Sequence, residues 1–158
     1  MAKSNVVGAR LGLASCVLLL GATLLSSPAK ADPVAAILAE AEQTCTEWDG
    51  GRFSQGDAVV ELDLTGDGAA DRLVDASRFA CAPHPSMWCG SGGCTLHAVV
   101  GSRSWRFQAE GWRLVDWDGR PILLIARDGG WCGGAGAQLC YEAVVWSGGE
   151  MLTVMPRP

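Results

Sequence analysis

The chain has 158 residues, 49% hydrophobic and 18% charged, with 17 acidic residues against 12 basic ones and a net charge of −5. That length suits one domain and is short for two. The acidic balance argues against nucleic acid as a partner, since that affinity comes largely from neutralised phosphates, and against anionic membrane surfaces.

The first 31 residues read as a cleavable export signal. Lys3 and Arg10 form a positive start, residues 11–25 form an apolar run, Ser26-Ser27-Pro28 breaks it, and Ala29-Lys30-Ala31 supplies the small residues a signal peptidase reads. Cleavage is expected before Asp32. The run is shorter than the roughly 20 residues that span a bilayer, so no anchor is expected in the mature form. Leu13-Ala14-Ser15-Cys16 has the form of a lipobox, which would make Cys16 a lipid attachment point. Against that, the stretch before Cys16 is short and the longest hydrophobic run, residues 17–20, follows it. Loss of Lys3, Arg10 and Lys30 leaves nine of the 12 basic residues against 17 acids, net −8, and every mature cation is arginine.

Beyond Cys16 the cysteines number six: Cys45, Cys81, Cys89, Cys94, Cys132 and Cys140. An even count in a small exported domain implies a disulfide framework. The gaps are wrong for paired zinc knuckles. Spacing predicts local Cys89–Cys94 and Cys132–Cys140 bridges, which leaves Cys45 for Cys81. A protein of this kind belongs in the periplasm or outside the cell.

Asp32-Pro33 opens a helix over residues 33–45, with an N-cap residue followed by proline at the first position. Val34, Ile37, Leu38, Ala41 and Cys45 form its apolar stripe, while Glu40 and Glu42 face elsewhere. Residues 47–56 are polar and glycine-rich, a loop. Eight short β-prone runs then follow, at 58–64, 72–76, 95–100, 104–108, 112–117, 121–126, 141–146 and 151–154, punctuated by Gly, Asp and Ser. Trp88-Cys89-Gly90, Cys94 and Ala98-Val99-Val100 recur as Trp131-Cys132-Gly133, Cys140 and Ala143-Val144-Val145. Asp67-Gly68 and Asp118-Gly119 hold matching places upstream. The expected fold is mainly β with a short N-terminal helix on an antiparallel sheet. It would be a sandwich or open barrel of about eight strands, arranged as two duplicated four-strand halves.

Residues 63–71, Asp-Leu-Thr-Gly-Asp-Gly-Ala-Ala-Asp, place side-chain oxygens at positions 1, 3, 5 and 9. A hard cation such as Ca²⁺ takes six to eight oxygens. Alternate residues of a tight loop can turn inward to supply them, with Gly68 making the turn. An EF-hand would need a glutamate at position 12, where Val74 stands. The string and its β flanks instead resemble the calcium loops of FG-GAP/VCBS-type repeats, over residues 63–74. The resemblance implies Asp63, Thr65, Asp67, Ala69 and Asp71 as ligand positions for a structural Ca²⁺. It departs from the pattern at Thr65, where Asn or Asp is usual. An Asp/Gly-rich turn without metal is the competing reading. The corresponding stretch 114–122 has Leu114 and Ile122 at its ends and reads as a plain Asp-Gly turn.

No catalytic constellation stands out. Ser91, His97 and an aspartate could be assembled on paper, but Gly90-Ser91-Gly92-Gly93 is not a nucleophile elbow. Trp88 and Trp131, both on glycine-rich loops, are the expected exposed aromatics and would suit contact with a protein or glycan ligand. The expectation is a non-catalytic, calcium-stabilised binding module. The alternative is a small hydrolase acting on cell-envelope material.

Overall fold

The computed structural model describes residues 31–84 and 87–153. The expected export signal up to Lys30, with Cys16, and the residues after Thr153 lie outside them. Among the described residues, no helix is long and apolar enough to cross a membrane.

Asp32 caps helix α1 (Pro33–Glu47): its side chain accepts the Val34 N–H at 3.2 Å, and Pro33 occupies the first turn. The helix continues two residues past the expected end, since Thr46 and Glu47 carry nothing that breaks it. Trp48 closes it, and the chain reverses through Asp49 and Gly50, both at positive φ. The next glycine is required for another reason. A Cβ on Gly51 would lie 2.5 Å from the Cys45 carbonyl and 2.6 Å from the Cys81 sulfur, so only glycine passes beneath that bridge.

All eight expected strands form, joined by three very short ones. They are β1 (Arg52–Ser54), β2 (Val59–Leu62), β3 (Asp71–Asp75), β4 (Ala80–Ala82), β5 (Cys89–Gly90), β6 (Gly93–Val100), β7 (Arg103–Ala109), β8 (Gly111–Trp117), β9 (Arg120–Arg127), β10 (Cys140–Ser147) and β11 (Glu150–Thr153). The first main sheet runs β2-β3-β6-β7, with β5 pairing the start of β6 on the β3 side. The second runs β8-β9-β10-β11, and β1 pairs β4 separately. Every pairing is antiparallel.

The two four-strand sheets repeat one connectivity, as the internal echo anticipates. After the second strand of each, an aspartate caps a short 3₁₀ turn: Asp75 accepts the Ser77 N–H and Asp128 the Gly130 N–H. A disulfide loop follows, and its second cysteine, Cys94 or Cys140, lies at the start of the third strand. A two-residue hairpin, Gly101-Ser102 or Gly148-Gly149, leads into the fourth. The halves differ between strands one and two. Asp118-Gly119 makes a two-residue turn with both φ positive, as a type I′ hairpin demands. The first half has residues 63–70 in that place.

The sheets are open and stack face to face. Leu73, Leu96 and Ala98 of the first sheet meet Leu123, Ile125 and Val144 of the second in one buried core. Alternation along the strands sends Val74 and Val99 to the opposite face. There they pack with Val34 and Ala41 of α1, together with Ala76 and Phe79. The order of layers is therefore helix, first sheet, second sheet. The far side of the second sheet bears Trp117, Tyr141 and Leu152, all exposed.

The three disulfides join Cys45 to Cys81, Cys89 to Cys94 and Cys132 to Cys140, the pairing that spacing predicts. The first ties the last turn of α1 to β4. At the other end of α1, Asp32 receives both terminal guanidinium nitrogens of Arg72 on β3, at 2.8 and 2.9 Å. That bond is the chief reason the Asp32 carboxyl sits below the ordinary aspartate range.

Candidate functional site

Residues 63–70 form a loop that is organised from within. Asp63 Oδ1 accepts the N–H groups of Thr65 (3.1 Å) and Gly66 (2.6 Å) and the Thr65 hydroxyl, while Oδ2 accepts the Gly68 N–H at 2.9 Å. These bonds, that from Gly68 foremost, lower the pKa of Asp63. Asp67 accepts from the Ala69 N–H at 2.8 Å. Asp71, largely buried, accepts from the Leu64 N–H at 3.0 Å. Its pKa is raised, first by burial and further by the like charges of Asp67 and Asp63. The sequence thus brings the three carboxylates within electrostatic reach of one another. They point at backbone N–H groups, and among the described residues no three acids, histidines or cysteines converge as a metal cluster. The donors are all oxygen, which suits a hard cation. Among the described residues, Asp67 engages one of its two oxygens.

A concavity lies elsewhere, between α1 and the helix-facing side of β6 and β7. It is a cleft of about 480 Å³, within the size range of small-molecule sites. Ile37, Phe79 and Trp88 give it an apolar wall, while Glu40, His97 and Arg106 supply its titratable groups. Behind that wall Phe53, Phe79 and Trp88 meet edge to face, with centroids 5.2–5.6 Å apart. His97 and Arg106 are direct cross-strand neighbours, so one face of the β6–β7 ladder presents both. His97 is half-buried; burial first, and then the Arg106 charge, lower its pKa, with Glu40 on α1 acting the other way. On balance these surroundings favour the neutral imidazole.

The sequence missed this cleft. Glu40 reads there only as a helix residue off the apolar stripe, and His97 only as a partner for Ser91. Nothing local in the sequence announces that Glu40, Phe79, Trp88 and Arg106 share one opening.

Trp88 is a correction to the expected exposed pair. It is half-buried in the aromatic cluster, because the Cys89–Cys94 hairpin turns its ring toward Phe53 and Phe79. Trp131 is 45% exposed and lies over the Arg127 guanidinium, 4.5 Å from its centre. The two rings belong to different layers and do not share a rim. Ser91 likewise stands apart from His97. It occupies the β5–β6 turn, and the four strand steps from Gly93 to His97 alone cover about 13 Å.

Comparison with protein-family models, curated proteins and solved structures gives no match to this chain. The physical arrangement of its own residues therefore carries the functional argument.

Proposed function

We propose that this chain is an exported, disulfide-held binding module that receives a small ligand in the cleft between α1 and the first sheet. The observation that carries this reading is the cleft itself: an aromatic wall facing a few polar groups, the usual composition of a ligand site. Three disulfides in so small a domain fit an oxidising compartment. His97 forms no hydrogen bond with a serine or an acid among the described residues, so the hydrolase reading gains no support from this side. The 63–71 loop is proposed as a structural Ca²⁺ site, with Asp63, Thr65, Asp67, Ala69 and Asp71 as its positions. Its role would be to relieve the repulsion among its three carboxylates.

A fragment screen read by amide and indole NMR shifts tests the cleft. Perturbations confined to α1, β6, β7 and the Trp88 indole are expected. Shifts only on the second sheet, or none at all, would remove the proposal.

A further inference from the structure

Two opposite charges face the same cleft without meeting. Arg106 extends from β7 and Glu40 from α1. Among the described residues the ion pairs are Arg72–Asp32, Arg78–Asp57, Arg103–Glu150 and Arg127–Glu142. Neither Arg106 nor Glu40 takes part in any of them. Opposite charges from α1 and β7 that line one cleft together with apolar side chains are complementary to a molecule carrying the reverse pair. We infer that the cleft takes a small zwitterion with an apolar body, the chemistry shared by free apolar amino acids and short peptides. This rests on the cleft being the binding site.

The roles follow from the groups. The planar guanidinium of Arg106 presents two parallel N–H donors, the geometry that grips a carboxylate. Glu40 accepts from an ammonium. His97, a direct cross-strand neighbour of Arg106, lines the same cleft and in its neutral form offers one donor and one acceptor. Ile37, Phe79 and Trp88 receive the apolar group, and an aromatic one would extend their edge-to-face cluster. A simple anion would leave Glu40 unanswered and would meet a protein with more acids than bases. A zwitterion answers both charges and adds no net charge.

The test is titration with L-phenylalanine, L-phenylalanine amide, N-acetyl-L-phenylalanine and the dipeptide Phe-Leu, read by the Trp88 indole and α1 amide shifts. Phenylalanine or the dipeptide should bind, and the tighter of the two identifies the free amino acid or the peptide as the source. Masking either charge should weaken binding about tenfold or more, as loss of a charged hydrogen bond does. Glu40→Gln should abolish discrimination against the acetylated compound, and Arg106→Gln discrimination against the amide. Both positions are exposed, and an unchanged melting temperature checks that the variants fold. If the masked compounds bind as tightly as phenylalanine, the zwitterion inference fails while the cleft reading stands. If only uncharged fragments shift these signals, the result is the same. If nothing shifts them, both fail.

Discussion

Arg127 and Glu142 are joined within the protein interior, where the Arg127 Nε donates to Glu142 Oε2 at 2.7 Å and Nη2 donates to the same oxygen. Both side chains are about 7% exposed or less. The third arm of the guanidinium donates to the Gln108 carbonyl on β7. One arginine of the second sheet thus bonds its own neighbour strand and the sheet stacked against it, under the Trp131 ring. Removing one partner strands a buried charge, whereas removing both does not. Glu142→Leu or Arg127→Met should each cost about 3–5 kcal/mol in urea unfolding. The double variant should recover most of that loss. Additive losses would show that the pair is not coupled.

The stability of the domain should depend on His97 in a defined direction. Its pKa in the folded state lies below the ordinary 6.5, through burial and the Arg106 charge, partly offset by Glu40. Below 6.5 the unfolded chain therefore takes up the proton more readily than the folded one. His97 contributes its full share above that pH, and the share is lost as pH falls through 6.5 toward the lower folded value. Melting temperature should rise with pH across that interval, and His97→Gln should flatten the slope. Arg106→Gln should move the His97 NMR titration upward.

Gly93 should tolerate no side chain. It stands at φ 98°, and a Cβ there would lie 2.2 Å from the Ala109 carbonyl oxygen. Both the backbone conformation and the space exclude alanine. Gly93→Ala should lower the unfolding free energy by more than the roughly 1 kcal/mol typical of a point change. Gly90→Ala, on the paired strand with open space around it, is the control and should differ little from the parent.

Millimolar Ca²⁺ should raise the melting temperature, since modules of this kind bind at around 10⁻⁴–10⁻³ M. Asp67→Ala should abolish the rise while leaving the Asp63-centred hydrogen bonds in place. No calcium-dependent shift in the parent protein would dismiss the metal.

The strands were readable because each is a short β-prone run stopped by glycine or aspartate, and the disulfides because the bridge partners are close in sequence or left over. What was unreadable falls into two kinds. β1, β4 and β5 span two or three residues, too few for any alternation to register, and β4 and β5 carry the bridged Cys81 and Cys89. The cleft is long-range: Glu40, Phe79, Trp88 and Arg106 come from four segments. Their meeting depends on α1 covering the first sheet and leaving the second bare. Trp88 was misplaced for a related reason. A glycine-rich loop signals exposure only until a bridge folds it back against a cluster.

Helix α1 is fastened at both ends by different chemistry, the exposed Asp32–Arg72 pair at its start and the Cys45–Cys81 bond at its close. The two sheets share a core that owes nothing to either fastening. With the thiols reduced, α1 keeps only its apolar stripe and an ion pair open to salt. The helix wall that carries Glu40 and the hairpin that places Trp88 are then both parts of the molecule whose position depends on redox state. The cleft proposed here for a ligand, lined by α1 and Trp88, should therefore be complete only where both of its bridges can form.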